Sequence, residues 1–232
     1  MIYDLARRLL WIVFRVLWRP RVHGRSRLGT AGPVILASNH LSFSDSVVLP
    51  LVVPRKLTFL AKSEYFTGRG VRGRAMALFF RVVGAVPVCR SGRRDDSLAA
   101  LRTALDVLTT GGAFALYPEG TRSRDGRLYR GRTGVAWLAL ASGAPVVPVA
   151  LAGTELLQPI GTRLPRLHRV QVRFGSPVDP APYQARQAAG ESAGRIRREF
   201  TDVVMGQIAA MSGQERATGY NDLPLEDVAM AV

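Results

Sequence analysis

Residues 39–45 read Asn39-His40-Leu41-Ser42-Phe43-Ser44-Asp45 and stand between two apolar runs. The preceding run, Pro33 to Ala37, predicts a short buried strand. The following run, Ser46 to Val53, is a second apolar segment. A histidine is therefore expected at the end of a strand, which is where open α/β sheets place their reactive groups.

The spacing of His40 and Asp45 restricts how the two side chains can meet. Asp45 follows His40 by five positions, and on one ideal helix the side chains would point about 140° apart. They can meet if His40 lies in the turn and Asp45 lies in the first turn of a following helix. That arrangement is typical of a general base and the carboxylate that orients its ring.

The same segment also fits a capping box. Ser42 would cap a helix, and Asp45 would reach back to the amide of Ser42. His40 would then be an ordinary turn residue. Taken alone, the segment favours this structural interpretation, because a histidine finds an aspartate at a fixed offset about one time in twenty on average residue usage. The motifs that follow later in the chain reverse this order.

Composition predicts one sizeable α/β domain. The chain has 232 residues, of which 47% are hydrophobic, enough for a full core. Cys89 is the single cysteine, so an internal disulfide is excluded and a reducing, intracellular compartment is expected. With three histidines in the whole chain, the sequence predicts no metal site.

The charge balance predicts anionic partners. The formal net charge is +15, and of 32 basic residues only Lys56 and Lys62 are lysines. Such a surface attracts lipid headgroups, nucleic acid or phosphorylated substrates. The aromatic residues fall mostly in apolar runs rather than among the arginines, and no recognition motif appears. We therefore expect no nucleic-acid partner.

Residues 1–19 predict an amphipathic helix that associates with a membrane. Its apolar residues recur at helical spacing and are accompanied by Trp11, Phe14 and Trp18. Arginines interrupt the apolar residues, so the apolar run falls short of the roughly 20 residues needed to cross a bilayer. Tryptophan and arginine on one helix are typical of an anchor at an anionic membrane surface. The alternative is a helix that packs on the body of the protein.

Residues 20–211 alternate short apolar strands with helical segments. This pattern predicts a mostly parallel central sheet with helices on both faces. Pro148 lies inside one predicted strand, so that strand is expected at an edge or at a bulge. Residues 212–232 are acidic, and we expect a mobile tail there.

Four motifs at strand ends now stand in order along the chain. They are Asn39-His40-x4-Asp45, Gly84 through Arg90, Tyr117-Pro118-Glu119-Gly120-Thr121-Arg122-Ser123, and Val146-Val147-Pro148-Val149. Together they resemble the glycerolipid acyltransferase family, and most closely its bacterial 1-acyl-glycerol-3-phosphate acyltransferases. The resemblance covers about residues 20 to 175, and the first and third motifs are highly specific as a pair.

The resemblance implies transfer of a fatty acyl group from an acyl thioester to the sn-2 hydroxyl of 1-acyl-sn-glycerol-3-phosphate, giving phosphatidic acid. The donor would be acyl-coenzyme A or acyl carrier protein, with no tightly bound cofactor. His40 would take the proton of the acceptor hydroxyl, and Asp45 would hold the ring. Since the hydroxyl attacks the thioester directly, Cys89 is interpreted as a small buried apolar residue rather than a nucleophile.

The family binds the acceptor phosphate at its third motif. By resemblance, the phosphate-binding residues here are Glu119, Gly120, Thr121 and Arg122, with Arg90 from the second motif. For Glu119 we expect an indirect part, orienting Arg122 or closing the turn. The residues expected to shape the acceptor site are Asn39, Pro118 and Pro148.

Three points stay open at this stage. The first is whether Arg132 has a role in the site. It stands where relatives often carry a lysine, and arginine keeps the charge but changes its geometry. The same chemistry on another lysophospholipid or an amino-acid lipid is one alternative function, and a non-catalytic binder of anionic lipid or nucleic acid is a second. By resemblance the enzyme would work at the cytoplasmic face of the cell membrane, as a peripheral or monotopic protein.

Overall fold

A seven-stranded sheet forms the centre of the described part of the protein. The computed structural model describes residues 2–29, 31–82, 84–88, 94–162 and 164–222. In chain order the strands are β1 Arg21–His23, β2 Val34–Ser38, β3 Leu57–Lys62, β4 Ala85–Val88, β5 Ala113–Leu116, β6 Val146–Ala152 and β7 Gln171–Phe174. Their spatial order is β1-β7-β6-β2-β5-β3-β4.

All neighbouring strands run parallel except β6 and β7. The helices are α1 Ile2–Trp18, α2 Asp45–Val52, α3 Glu64–Thr67, α4 Gly70–Val82, α5 Arg94–Thr109, α6 Gly134–Ser142, α7 Thr154–Leu157, α8 Ala181–Ala188 and α9 Ala193–Ser212. The predicted fold class, a mostly parallel sheet with helices, is confirmed.

Strand β2 shows why its sequence is apolar throughout. Val34 and Leu36 face one apolar cluster, while Ile35 and Ala37 face the other. All four side chains are buried. A parallel strand covered on both faces reads as a continuous apolar run, because neither face meets water. Helices α1, α2 and α4 contribute to the first cluster, and α5, α6 and α9 to the second.

Helix α1 presents two different sides. Phe14 is buried and lies between Trp11 and Trp18, with ring centroids 6.2 Å and 5.5 Å away. This aromatic side packs on the domain, whereas the aliphatic side chains on α1 are exposed, as Ile12 and Val16 show. No helix in the described residues combines the length and apolar character needed to cross a membrane.

The strand containing Pro148 was expected at an edge or at a bulge, and of these two the edge is wrong. Strand β6 lies inside the sheet, between β7 and β2. The carbonyl of Pro148 accepts a hydrogen bond from the N–H of Gly175 at 2.7 Å, where β7 has just ended. The N–H that proline lacks therefore falls at the end of the β6–β7 ladder, where its absence costs little.

Residues 213–222 lie against the domain, although the sequence predicts a mobile tail from residue 212 onward. The carbonyl of Glu215 accepts from the N–H of Leu128 at 2.8 Å. The N–H of Ala217 donates to the carbonyl of Leu128 at 2.9 Å. We call residues 213–222 the C-terminal strap. The remainder of the predicted tail, 223–232, lies outside the described residues.

The sheet topology puts two loops side by side. Strands β2 and β5 are parallel neighbours. Ala37, one residue before the end of β2, pairs with Leu116, the last residue of β5. The segments that follow them, 39–44 and 117–133, therefore leave from the same edge of the sheet. This is the edge at which α/β proteins build their sites.

Candidate active site

The loop after β2 brings His40 and Asp45 together. Oδ2 of Asp45, the first residue of α2, lies 2.8 Å from Nδ1 of His40. The same oxygen accepts from the N–H of Leu41 at 2.7 Å and from the N–H of Ser42 at 2.8 Å. Asp45 is fully buried, while the His40 side chain keeps 15% exposure. The two amides fix the carboxylate, and the carboxylate in turn fixes the ring.

The capping-box interpretation is correct in one half only. Helix α2 begins at Asp45 with Ser44 in the N-cap position, so Ser42 does not cap it. Asp45 reaches back to the N–H of Ser42, as a capping box requires. The N–H of Ser44 donates to the Ser42 hydroxyl at 3.3 Å. The Asp45 carboxylate thus holds the turn and meets His40 with the same oxygen, so its structural role does not compete with the chemical one.

Glu119 ties the β5 loop to the β2 loop. Its Oε1 accepts from the N–H of His40 at 3.0 Å, and its Oε2 accepts from the N–H of Tyr129 at 3.0 Å. The side chain is fully buried, and this burial raises the pKa of Glu119 from 4.5 to about 7, against the effect of the two backbone donors. Two parts were expected of Glu119, orienting Arg122 or closing the turn. The described residues show no hydrogen bond between Glu119 and Arg122, and the contacts with His40 and Tyr129 hold the turn instead.

Tyr117 forms one wall of the site. Its ring stacks on the His40 imidazole with the centroids 3.9 Å apart and the planes 8° from parallel. Its hydroxyl lies 3.0 Å from the hydroxyl of Ser46. Sequence reasoning placed Tyr117 in the third motif but missed this contact. The available signal was that Tyr117 and His40 follow neighbouring strands.

The third motif turns tightly beside His40. Gly120 has φ +83°, a left-handed conformation that favours glycine. The N–H of Ser123 donates to the carbonyl of His40 at 2.8 Å. The turn therefore holds Thr121 and Arg122 close to the histidine, and both line the same cavity as His40.

A cavity of about 340 Å³ opens beside the histidine. One part of its lining consists of Gly120, Thr121 and Arg122. Most of the remaining wall is apolar and comes from Phe43, Phe59, Tyr65, Phe80, Phe114 and Leu116. A site of this kind suits a molecule with a hydrocarbon chain and a small polar head.

The sequence profile of a known family matches the part of the chain that forms this site. It is the profile of the acyltransferase family, and it matches residues 19–152, more than half of the chain and all four strand-end motifs. The chain belongs to the acyltransferase family. The resemblance stated from the motifs is thereby confirmed.

Curated relatives of this acyltransferase carry one recurring name. A chloroplastic 1-acyl-sn-glycerol-3-phosphate acyltransferase of Brassica napus is 33% identical over 166 residues, covering 69% of this chain and 46% of the relative. The 1-acyl-sn-glycerol-3-phosphate acyltransferase alpha of Bos taurus is 27% identical over 173 residues, covering 74% and 58%. The chain spans about half the length of these relatives.

A solved structure shares the fold of the acyltransferase. The crystal structure of the 1-acyl-sn-glycerophosphate (LPA) acyltransferase PlsC from Thermotoga maritima matches with a TM-score of 0.62 and 24% identity. The match covers 91% of this chain and 84% of that chain. The likeness extends well beyond the site and includes most of the sheet and its helices.

The three residues expected to shape the acceptor site are not among the described residues that line the cavity, and each of them instead contacts backbone groups. Asn39 is fully buried; its amide group donates to the carbonyl of Leu151 at 2.9 Å and accepts from the N–H of Leu151 at 2.8 Å. The carbonyl of Pro118 accepts from the N–H of Arg132 at 2.7 Å. The Pro148 carbonyl bonds the loop after β7, as described above. Arg90 and Cys89 lie outside the described residues.

The C-terminal strap contributes two polar side chains that sequence reasoning missed. Oε1 of Gln214 accepts from Nδ2 of Asn39 at 2.7 Å, and its Nε2 donates to the carbonyl of Gly126 at 2.7 Å. Nδ2 of Asn221 donates to the carbonyl of Arg122 at 3.0 Å, and Asn221 is only 4% exposed. The strap therefore touches the residue before His40 and the loop that carries Arg122.

Arg132 points to the strap. Its guanidinium forms an ion pair with Asp222, N to O 2.6 Å, and lies 5.3 Å from the ring centroid of Tyr220.

Among the described residues, no group of three or more histidine, cysteine, aspartate or glutamate side chains is placed to hold a metal ion.

Proposed function

We propose that this acyltransferase moves a fatty acyl group from an acyl thioester to the sn-2 hydroxyl of 1-acyl-sn-glycerol-3-phosphate. The donor would be acyl-coenzyme A or acyl carrier protein, and the product phosphatidic acid. The observation that carries the proposal is the 2.8 Å contact between His40 Nδ1 and Asp45 Oδ2 at the wall of an apolar cavity. The names of the curated relatives support the choice of acceptor.

The chemistry needs one base and no protein nucleophile. With Nδ1 bonded to Asp45, His40 would act through Nε2 and take the proton as the acceptor oxygen attacks the thioester carbonyl. The new ester C–O bond forms and the C–S bond breaks. The imidazolium then returns the proton to the leaving thiolate. The buried Asp45 carboxylate stabilises the positive ring between these steps.

The third motif would hold the acceptor phosphate. Thr121 and Arg122 line the cavity that His40 lines, and the left-handed turn at Gly120 brings backbone close to it. A guanidinium, a hydroxyl and backbone amides are suitable donors for a phosphate group. Glu119 would contribute by fixing the loop through its two backbone contacts, not by meeting the anion.

The apolar part of the cavity would take a hydrocarbon chain. At about 340 Å³ it lies within the range of about 300 to 1,000 Å³ typical of small-molecule sites. Aromatic and aliphatic side chains supply most of its wall.

The substrates of such an enzyme lie in a membrane, and helix α1 suits that location. Leu9, Ile12 and Val16 are 63%, 57% and 65% exposed, beside exposed Arg8 and Arg15. An exposed aliphatic face flanked by arginine is typical of binding to an anionic membrane surface. We infer peripheral or monotopic attachment at the cytoplasmic face of the cell membrane.

The first experiment measures thiol release from acyl-coenzyme A with lysophosphatidic acid as acceptor. We expect release that depends on the acceptor and falls by about 10² to 10⁴ in His40→Ala. His23→Ala is the matched control, because His23 is exposed on the edge strand β1, away from the cavity. Substantial turnover by His40→Ala would remove His40 as the base. Release only with other lysolipids would reassign the acceptor.

A further inference from the structure

The connection between β6 and β7, residues 153–170, carries an unusual set of exposed aliphatic side chains. Leu164 is 80% exposed and Leu167 is 76% exposed, more than any other leucine of the described residues. Leu156 and Ile160 are 51% and 50% exposed. Single exposed apolar residues are common, but four of them fall within twelve positions of this one connection. Such a concentration suits an apolar partner.

This connection contacts the C-terminal end of helix α1. The indole N–H of Trp18, at the end of α1, donates to the carbonyl of Arg166 at 2.8 Å. Just beyond the helix, the N–H of Arg21 donates to the carbonyl of Val170 at 2.9 Å. Val16 and Leu17 in the last turn of α1 are 65% and 49% exposed. The connection therefore lies next to the last turn of α1, where exposed aliphatic side chains are also present.

The charges around the two surfaces are positive. Arg166 and Arg169 are exposed in the connection, and Arg15 and Arg19 are exposed on and after α1. Glu155 is the one acidic residue between positions 153 and 170, and it is partly buried. Exposed leucines accompanied by exposed arginines match an anionic leaflet. The acyl chains of the leaflet take up leucine side chains, and its headgroups attract arginine.

The same connection is tied to the loop that carries the base. The hydroxyl of Ser42 donates to the carbonyl of Gln158 at 2.9 Å. The hydroxyl of Ser44 donates to the carbonyl of Thr154 at 3.3 Å. Both serines lie between His40 and Asp45 in the sequence. A surface that holds the connection would therefore also hold the His40 loop in place.

We propose that the β6–β7 connection is a second membrane-binding element, which inserts Leu164 and Leu167 into an anionic leaflet beside helix α1. As an account of how the acceptor reaches His40, it rests on the proposed function. As an account of membrane binding it stands on the exposed leucines, the arginines and the contact with Trp18. Docking at this point sets the loop between His40 and Asp45 next to the leaflet from which a lipid acceptor must come.

The test measures binding of the full chain to vesicles of phosphatidylglycerol and phosphatidylcholine by sedimentation. The double variant Leu164→Ser/Leu167→Ser should partition about tenfold to a hundredfold less, because two exposed leucines lose their burial in lipid. The matched control is Leu98→Ser/Val203→Ser, which removes side chains 45% and 40% exposed on α5 and α9. The control should bind as the parent does, and thermal unfolding should show that both variants fold.

Equal vesicle binding by the parent and the loop variant would overturn the proposal. So would an equal loss in the control pair. If the loop variant binds vesicles normally but the parent self-associates and the variant does not, the patch is a contact between copies, and the proposal fails in that way. The ratio of turnover with vesicle-embedded acceptor to turnover with detergent-dispersed acceptor should fall in the loop variant. Absence of turnover in every arm would defeat the proposed function, while vesicle binding would still decide this inference.

Discussion

The backbone N–H of His40 donates to Oε1 of Glu119 at 3.0 Å, across 79 positions of sequence. On the other side of the same residue, the carbonyl of His40 accepts from the N–H of Ser123 at 2.8 Å. The loop after β5 thus holds both polar backbone groups of the histidine. Because the Asp45 carboxylate fixes the ring, the backbone and the side chain of His40 are positioned by different parts of the chain.

Replacing Glu119 by glutamine should weaken this hold. The amide offers one oxygen acceptor, and its NH2 group would face an N–H donor, so one of the contacts to His40 and Tyr129 is lost. We expect the free energy of unfolding to fall by about 1 to 3 kcal/mol and kcat to fall with it. Denaturant unfolding and steady-state kinetics check this. Glu215→Gln, at an exposed carboxylate, is the control and should change neither quantity.

The pH dependence of stability should also report Glu119. Its folded pKa of about 7 lies above its usual 4.5, so the folded state holds a proton that the unfolded state has released between these values. Stability from this group is therefore fully present below pH 4.5 and is lost as pH rises through 7, by about 3 kcal/mol. Unfolding of the parent and of Glu119→Gln should be compared from pH 4.5 to 8. If their difference does not change with pH, burial does not raise the pKa of Glu119.

Replacing Asp45 by asparagine should impair the base. Oδ2 of Asp45 accepts from His40 and from two backbone amides. An asparagine oxygen could accept the same hydrogen bonds, but the neutral amide would not stabilise the positive ring that forms when His40 takes the proton. We expect kcat to fall by about 10² to 10⁴ with a smaller change in KM. Thiol-release kinetics measure both. Asp106→Asn, at an exposed carboxylate on α5, should behave as the parent does; similar losses in both variants would mean that the change acts through general charge.

The sequence could predict the meeting of His40 and Asp45 because both lie in one short segment whose ends are marked by apolar runs. It also predicted the parallel sheet, since apolar strands alternating with helices have few other solutions. The sequence could not predict that β6 lies inside the sheet despite Pro148. The position of β6 in the sheet depends on where β7 ends, and the apolar pattern of β6 carries no information about β7.

Hydrogen bonds between residues far apart in the sequence could likewise not be predicted from sequence patterns. Glu119 was expected to orient Arg122 or to close the turn, but its partners, the N–H groups of His40 and Tyr129, were not predicted. Gln214 meets Asn39 across 175 positions, in a segment that composition alone described as a tail. Composition and spacing report which residues share a face, whereas a buried polar group takes whichever donor the fold brings within reach.

The C-terminal strap should support acceptor binding through Gln214. In Gln214→Ala, Asn39 keeps its contacts with Leu151, but the carbonyl of Gly126 loses its donor, so the loop carrying Arg122 is held less firmly. We expect the KM for lysophosphatidic acid to rise about two- to tenfold, as for one lost hydrogen bond. Hydrolysis of acyl-coenzyme A without acceptor should stay unchanged.

The control for this prediction is Glu215→Ala. The exposed side chain of Glu215 is removed, while its backbone carbonyl still accepts from the N–H of Leu128. A rise in KM in both variants would assign the effect to the strap's backbone. No change in Gln214→Ala would mean that Gln214 does not help to position the phosphate loop.

The apolar cavity should set the length of the acyl chain that the enzyme accepts. Ala100 lines it from helix α5, whereas its neighbour Ala99 is exposed. In Ala100→Phe the added ring fills space at the wall, and each methylene kept out of the cavity costs about 0.8 kcal/mol, or about fourfold in kcat/KM. The ratio of kcat/KM for long to short acyl donors should therefore fall by about tenfold or more, measured by thiol release across a chain-length series. Ala99→Phe adds the same ring outside the cavity and should leave the ratio as in the parent. If the ratio is the same in all three proteins, the acyl chain of the donor does not enter this cavity, and the acceptor's own chain becomes its occupant.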